Sequence, residues 1–192
     1  MQTTKVFASS AADLTGFASN VTGATFTLTA TDSGDDLAHK VTVRNDSVTD
    51  HSGKTLALVG TDASGTAQTE TLTAPGTSAT ATSTKYWLTL TSVTPSATIG
   101  ADTFDIGWAA ASVTPPVSMQ TMSQVGFNVG FSCDVTGTPG YSVQVSYGGN
   151  WYNHASVVTK TADADGSLVV PVMAMRLIFT AAGTVTLNVV TE

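Results

Sequence analysis

The 192-residue sequence is poor in charged side chains, which make up 11% of its residues, less than half the share of about 25% in an average soluble domain. Seven lysines and arginines stand against 14 aspartates and glutamates, giving a net charge of −7 at pH 7. The basic residues are scattered, so the sequence lacks the positive patch that binds a phosphate backbone. We therefore expect no nucleic-acid partner.

The sequence has only one cysteine, and no stretch of it has the pattern of a signal peptide or of a membrane span. A single cysteine, Cys133, excludes an intrachain disulfide, so stability must come from packed cores or from association. Residues 1–14 lack the charged and apolar regions of a signal peptide. The richest apolar stretch, 168–179, contains Arg176 and is shorter than the roughly 20 residues that cross a bilayer. We expect neither signal-directed export nor a membrane partner.

Threonine dominates the polar residues that are present, with 35 copies, and 12 of the 14 acidic residues are aspartate. Threonine favours strands because its branched Cβ restricts χ1. Aspartate favours turns, whereas the helix-forming glutamate occurs only twice. We therefore predict an all-β fold with no helix longer than two turns.

Two prolines divide the sequence. The stretch AAASVTPPV contains Pro115-Pro116, which removes two backbone donors and holds the chain extended. We predict two small antiparallel β-sandwich or barrel-like domains joined by this Pro-containing linker, preceded by an N-terminal arm. The predicted parts are an arm at 1–20, an N-terminal β domain at 21–110, the linker at 111–117 and a C-terminal β-sandwich domain at 118–192.

Apolar residues at every second position mark strands with one buried face. In the N-terminal domain this pattern occurs at 26–28, 41–43, 86–90 and 104–108. The segments 55–60 and 66–73, separated by TDASG, predict a β-hairpin. Because its second strand, TAQTETLT, is polar on both faces, we expect that strand at a sheet edge or against another chain.

The C-terminal domain alternates more regularly. Residues 125–133 and 141–147, joined by the turn 137–140, predict a second hairpin. Residues 168–179 are apolar on both faces except at Arg176. Since such a strand is covered on both sides, we expect a second cover from the N-terminal domain or from a neighbouring subunit.

No constellation of catalytic residues stands out. His39, His51 and His154 fall in a strand, a turn and a polar loop, and the nucleophile-elbow motif Gly-X-Ser-X-Gly is absent. Cys133 alternates with aromatic residues on one face of a strand, as a buried and unreactive cysteine does. We predict no catalytic residue and no enzymatic activity.

Metal and cofactor motifs are equally weak. Residues 163–166, DADG, resemble the start of a calcium loop but lack its other ligands, and a tight turn is the simpler interpretation. Asp32, Asp35 and Asp36 are interpreted in the same way. The sequence has no zinc spacing, no Gly-X-Gly-X-X-Gly and no P-loop. We predict neither a metal nor a cofactor.

The segment 147–154, YGGNWYNH, concentrates aromatic and amide side chains. Three interpretations stay open: contact with a sugar ligand, a protein interface, or closure of the core. We take the aromatic residues of this segment, the apolar residues of the arm and the arginine of the apolar stretch as candidate interface residues. They are Trp151, Tyr152, Tyr147, Leu14, Phe17 and Arg176.

Two stretches carry a family resemblance. The first runs from His39 to Trp108 and contains VTVRND, LALVGTDASGTAQTETLT, SATATSTKYWLTLTSVTPS and ADTFDIGW; the second is PVMAMRLIFTAAGTVTLNVV. The first resembles a recurrent module in small virion structural proteins of tailed bacteriophages. The second is similar to the closing strands of phage head and tail β-sandwich domains. Together they cover about two-thirds of the chain.

The resemblance implies a virion component made in the host cytoplasm. The expected function is a capsid decoration or cement protein bound to the major capsid protein, with a homotrimer as the expected assembly of its own copies. A tail-tube, tail-terminator or baseplate component is the alternative within the virion. The alternative from another class is a carbohydrate-binding or adhesin module that binds a host-surface glycan.

Overall fold

The computed structural model describes residues 2–119 and 129–191. Across these ranges the chain forms strands in several antiparallel sheets and no helix, which confirms the predicted all-β class. It follows that these ranges contain no helix long and apolar enough to cross a membrane.

The strands in chain order are β1 Gln2–Ser9, β2 Asp13–Val21, β3 Ala38–Asn45, β4 Thr55–Thr61, β5 Ala67–Thr73, β6 Thr80–Trp87, β7 Thr89–Pro95, β8 Phe104–Val113, β9 Val117–Ser118, β10 Val129–Thr136, β11 Tyr141–Tyr147, β12 Asn150–Asn153, β13 Ala164–Leu168, β14 Ala174–Phe179 and β15 Gly183–Thr191.

The chain divides into two compact units. The terminal unit comprises Met1–Ala11 and Val113–Glu192, and the central unit comprises Ala12–Ser112. The segment 1–20, which we predicted to be an arm, instead contains β1 and most of β2, and β1 pairs along its whole length with β15. Sequence periodicity did not reveal β1 because most of its side chains are exposed on both faces. The predicted linker begins inside β8, which continues to Val113.

The terminal unit is sandwich-like. One sheet has the strand order β1-β15-β10-β13, and the strands β12, β11, β14 and β9 pair in that order beside it. Each inner face contributes large apolar side chains to the core. The buried residues of these strands include Phe131, Cys133, Tyr141, Val143, Val145, Met175, Leu177, Phe179, Val185, Leu187 and Val189.

The hairpin predicted between 125–133 and 141–147 is wrong. β10 pairs with β13 and β15, whereas β11 pairs with β12 and β14, so the turn at 137–140 connects two different sheets. Alternation identifies the buried face of each strand but not its partner, and both strands bury their odd-numbered residues. Val125 and Phe127, at the start of the predicted strand, lie outside the described residues.

The apolar stretch 168–179 is not one strand covered on both sides. β13 ends at Leu168 and β14 begins at Ala174, with Pro171 in the connection between them. Val169 and Met173 in this connection are 78% and 59% exposed. The prediction of a single buried strand at 168–179 is wrong because a connecting segment of apolar residues has the same composition as a buried strand.

The central unit contains a three-stranded sheet, β5-β4-β7, and a second group in which β2, β8, β3 and β6 are successive neighbours. The predicted strands at 41–43 and 104–108 are confirmed as parts of β3 and β8. Residues 26–28 are not in a strand, and 86–90 spans the break between β6 and β7. The core cluster consists of Phe17, Ala18, Phe26, Val41, Val43, Leu56, Leu58, Ala74, Trp87, Leu90, Val93, Ile99, Phe104, Ile106 and Trp108.

The hairpin predicted at 55–73 is confirmed. β4 and β5 pair over seven positions, from Thr55 with Thr73 to Thr61 with Ala67. The turn is closed by Asp62, whose carboxylate accepts the backbone N–H of Ser64, and Gly65 has a φ of 78°. The polar strand β5 lies at the edge of its sheet, which is one of the two positions that the sequence predicted for it.

Glycine allows β2 to lie against β8. A Cβ on Gly107 of β8 would collide with the carbonyl oxygen of Asp13 and the backbone of Leu14. The pairing of β2 with β8 is irregular, with register shifts between Asp13, Ala18 and Val21. This close backbone approach holds the strand that carries Phe17 into the core.

Candidate interaction surfaces

The outward side of the β5-β4-β7 sheet is a surface of small uncharged side chains, which we call the threonine face. The strand register places Ala57 between Thr71 and Thr94. The face consists of Thr55, Ala57, Val59, Thr61, Ala67, Thr69, Thr71, Thr73, Thr89, Ser92 and Thr94, all exposed or half-buried. None of these side chains carries a charge, so the whole sheet side is electrically neutral.

Alternation along β4 and β5 and a register shift between Leu90 and Ser92 of β7 produce the threonine face. Leu56 and Leu58 of β4 and Leu90 and Val93 of β7 point inward and are fully buried, which leaves the hydroxyl-bearing residues outward. A Cβ on Gly60 would collide with the backbone of β7, so glycine permits the two strands to approach at this position. The result is a sheet anchored on one side by a packed core.

Few hydroxyl groups of the threonine face are occupied within the chain. Thr61 and Thr89 share a hydrogen bond of 2.7 Å between their hydroxyl oxygens. Over residues 2–119 and 129–191, the hydroxyls of Thr69, Thr71 and Thr94 have no hydrogen-bond partner. These hydroxyl groups are therefore available to water or to a docking partner.

Glu70 and Gln68 of β5 occupy the opposite side of the strand and reach β6. The Glu70 carboxylate accepts the backbone N–H groups of Thr84 at 2.7 Å and of Lys85 at 3.1 Å. Gln68 Nε2 donates to the carbonyl oxygen of Tyr86 at 2.6 Å. The two side chains thus bind the edge backbone of β6, which would otherwise be open to another strand.

Sequence reasoning did not identify Glu70. Its one available signal was composition, because it is one of only two glutamates and stands in a strand of otherwise uncharged residues. Position in the chain could not reveal that β6, 14 residues further on, supplies the two donors.

Trp151 and Arg176, two of the candidate interface residues, are brought together in the terminal unit. Gln144 lies opposite Arg176 on one neighbouring strand and opposite Asn153 on the other. Arg176 Nε donates to Gln144 Oε1 at 2.9 Å, and Gln144 Nε2 donates to Asn153 Oδ1 at 2.9 Å. The Cζ of Arg176 lies 4.1 Å from the Trp151 ring centroid, a cation–π contact.

The two candidate tyrosines lie on the other face of the same hairpin. Tyr152 is opposite Val145, a buried core residue, and Tyr147 is two positions further along β11. The ring centroids of Tyr147 and Tyr152 are 5.9 Å apart, and Tyr152 is 53% exposed. The aromatic cluster expected at 147–154 is therefore divided between two sheet faces.

Leu14 and Phe17 do not form an exposed anchor. Phe17 is 1% exposed and packs edge-on against Trp108 with 5.1 Å between ring centroids. Leu14, on the same strand, is half-buried. The prediction of Phe17 as an interface residue is wrong, because β2 belongs to the central unit and directs Phe17 into its core.

The histidines have structural partners. His39 is buried and places Nδ1 at 2.9 Å from the Ala109 carbonyl oxygen and Nε2 at 2.8 Å from the Asp35 carboxylate. Ser33 donates to Asp35 and makes no contact of this kind with the imidazole. A nucleophile must hydrogen-bond to its base, so this Ser, Asp and His group does not have the order of a catalytic triad.

A second buried histidine joins two loops of the central unit. Lys54 Nζ lies 2.9 Å from His51 Nδ1, and His51 Nε2 lies 2.9 Å from Asp102 Oδ2. Because an ammonium group only donates hydrogen bonds, Nδ1 is the acceptor and Nε2–H donates to Asp102. This hydrogen bond lowers the pKa of Asp102 below its usual value.

His154 and Cys133 add no reactive arrangement. His154 accepts a hydrogen bond from Ser156 at Nδ1 and donates one from Nε2 to the Ser167 carbonyl oxygen. Since both ring nitrogens have these partners, no carboxylate orients the imidazole toward Ser156. Cys133 is fully buried, and burial raises the pKa of its thiol to about 12. A thiol in this state is not a nucleophile at neutral pH.

The acidic motif at 163–166 is neither a calcium loop nor a tight turn. Ala164 and Gly166 belong to β13, which pairs with β10, and Asp163 accepts the backbone N–H of Val135 at 2.7 Å. Among the described residues, no group of three or more His, Cys, Asp or Glu side chains is placed to hold a metal ion.

Comparison of the chain with protein-family models, with curated proteins and with solved structures finds no match.

Proposed function

We propose that the chain is a structural protein of a bacteriophage virion, a capsid decoration or cement protein that binds the outer head lattice. The observation that carries this proposal is the threonine face, a neutral, hydroxyl-rich surface on a sheet whose other side is packed against a core. Such a surface suits a permanent contact between proteins, because docking removes no charge from water. The chain's resemblance to phage virion proteins points in the same direction.

The side chains of the threonine face add to this support. Seven of its eleven residues are threonine, whose single side-chain torsion is already restricted in a strand. Ordering such residues at an interface costs less conformational entropy than ordering lysine, arginine or glutamate. The major capsid protein is the proposed partner, with copies of the chain meeting as a trimer at a lattice three-fold.

Binding to capsids tests the proposal. Capsids of the encoding phage assembled without this protein should bind the purified chain and should then resist heat better. The head assignment fails if the chain does not bind expanded capsids and instead co-purifies with tails. That outcome would support the alternative of a tail-tube, tail-terminator or baseplate component, as would a gene position among tail genes.

Carbohydrate binding by an adhesin-like module is a second candidate function. The observation that favours it is the exposed Tyr152 beside Tyr147, with Trp151 on the same hairpin, since aromatic rings stack on sugars. Tyr152→Ala should abolish retention on a glycan array if the sugar binds beside Tyr147, and Trp151→Ala should abolish it if the sugar binds on the opposite face of the hairpin. Val48→Ala, at an 84% exposed position of the central unit, is the control. Unchanged retention in both aromatic variants eliminates this function.

A further inference from the structure

β1 is attached to the terminal unit through a single neighbour. Within the described residues it pairs with β15 alone, and it does so at all eight positions, from Gln2 with Val190 to Ser9 with Gly183. Of its side chains only that of Ser9 is buried, and Val6 is 64% exposed. The strand is therefore held to the unit mainly by its backbone pairing.

β10, on the other side of β15, is anchored in a different way. Its residues Val129, Phe131 and Cys133 are at most 4% exposed and belong to the core. β1 adds no fully buried apolar side chain to that core. A segment with few buried apolar contacts separates from a protein at a lower free energy than a core strand does. Of the two neighbours of β15, β1 is thus the one that can leave without opening the core.

Lys5 decides how a second copy can meet this edge. In the strand register Lys5 is opposite Leu187, so the two side chains lie on the same face of the sheet. Leu187 is buried, whereas Lys5 is exposed. A charged residue on the core-facing side of an edge strand disfavours the addition of another strand beyond it. Pairing of a second copy outside β1 is therefore disfavoured, but replacement of β1 by an identical strand is not, because β15 already accommodates Lys5.

We infer that β1 is exchanged between copies of the chain, so that the β1 strand of one copy pairs with β15 of a second copy in the same register. The occupant of the β15 edge is identified because the chain's own β1 fills it, and an identical strand makes the same backbone hydrogen bonds. Residues 10–12 form the hinge, since they alone separate β1 from β2. This inference goes beyond the proposed function and does not rest on it.

Exchange competes with pairing inside one chain. The chain's own β1 is present beside β15 at an effective concentration on the order of millimolar. The closed monomer therefore predominates in dilute solution, and exchange becomes significant where copies are concentrated or held side by side. An experiment that traps exchanged pairs as they form detects them even when they are a minority.

Disulfide trapping tests the exchange. Concentrated chains carrying Val6→Cys are mixed with chains carrying Thr186→Cys and oxidised. The two positions are directly opposite each other on the outward face of the sheet. Opposite Cα atoms in an antiparallel pair are about 4.5–5.5 Å apart, which is within the span of a disulfide. We expect a covalent dimer joined between positions 6 and 186, identified by peptide mapping without reduction.

Two controls separate exchange from random collision. Val48→Cys, at an 84% exposed position of the central unit, replaces Val6→Cys in the first. Thr184→Cys, two residues from the opposite position, replaces Thr186→Cys in the second. The pair at 6 and 186 should form at least ten times faster than either control pair. Cys133 is buried and contributes no background.

A double variant with Val6→Cys and Thr186→Cys in one chain checks the pairing itself, because it should close a disulfide within the chain. If it closes but the mixed chains dimerise no faster than the Val48→Cys control, β1 is not exchanged and the inference is overturned. A double variant that fails to close overturns the pairing on which the inference depends. Equal rates with Thr184→Cys overturn exchange in the same register.

Ala8→Cys with Thr184→Cys, the next opposite pair on the outward face, repeats the test should a single variant of the first pair show a lowered thermal midpoint. No capsid enters these measurements. Their failure is therefore distinct from a failure of the capsid-binding experiment that tests the proposed function.

Discussion

At the scale of the single residue, Glu70 joins two strands, because its carboxylate on β5 accepts two backbone hydrogen bonds from β6. Replacing it with alanine leaves the backbone N–H groups of Thr84 and Lys85 without their acceptor. We expect Glu70→Ala to lower the free energy of unfolding by about 1–2 kcal/mol, and Glu70→Gln to recover part of this because one side-chain oxygen remains. Urea unfolding at pH 7 measures both changes.

Thr73→Ala is the matched control for Glu70. It lies on the same strand but points outward, so its effect should stay within about 0.5 kcal/mol of wild type. A Glu70→Ala variant that is no less stable than Thr73→Ala would show that solvent replaces the carboxylate at no cost.

Asp102 makes a pH-dependent contribution. Its pKa is lowered chiefly by the hydrogen bond from His51, so the stabilisation is fully present above the ordinary aspartate pKa of about 3.9 and is lost as the pH falls through the lower folded-state value. Asp102→Asn should therefore be less stable than wild type at pH 7, and the difference should shrink below pH 4. Denaturant midpoints measured at pH 7, 4 and 3 give this comparison; a constant difference at all three would contradict it.

At the scale of elements, the β2–β8 contact depends on glycine. A Cβ on Gly107 would meet backbone atoms of Asp13 and Leu14, which cannot rotate away. We expect Gly107→Ala to cost about 2–3 kcal/mol by forcing β2 outward, measured as a lower thermal midpoint. Gly130→Ala in β10 meets no atom within 4 Å and should be neutral or slightly stabilising. Equal midpoints for the two variants would rule out the tight approach of β2.

The elements also show what the sequence could predict. The β4–β5 hairpin was correct because its turn contains Asp62 and Gly65 at positions that close a short connection. The prediction that β10 pairs with β11 was wrong because the same alternation fits a turn that connects two different sheets as well as a hairpin within one sheet. Pairing is decided by which face meets which core, and that depends on distant strands such as β15, far from either strand in sequence.

The candidate surfaces followed the same division between local and long-range information. Trp151 was identified from composition, but its contact with Arg176 requires β14 to lie two strands away from β12. The threonine face could be anticipated only through the polar strand β5. Buried apolar residues in its other two strands, Leu56 and Leu58 of β4 and Leu90 and Val93 of β7, indicate one buried face and say nothing of how the outward faces combine.

At the scale of the whole molecule, the small area of the threonine face bears on the oligomeric state. Three strands of seven residues span only about 340 Å², less than the roughly 800 Å² that each partner buries in a stable pair. Since this face alone does not hold copies together in dilute solution, we expect the purified chain to be a monomer of 19.6 kDa, with any trimer forming on the lattice. Light scattering coupled to size-exclusion chromatography measures the mass. A mass near three times the chain value would show a preassembled trimer and would require a larger interface than the threonine face supplies.

The buried thiol of Cys133 can report local opening of the terminal unit, because it becomes accessible to reagents only when the surrounding strands separate. It is the sole cysteine, it is fully buried, and its pKa of about 12 keeps it protonated at neutral pH. A thiol reagent can therefore modify the molecule only during excursions in which the strands around Cys133 separate. The rate of modification measures how often those strands separate, without any engineered label. Comparing this rate between the free chain and the capsid-bound chain would show whether attachment slows local opening of the terminal unit.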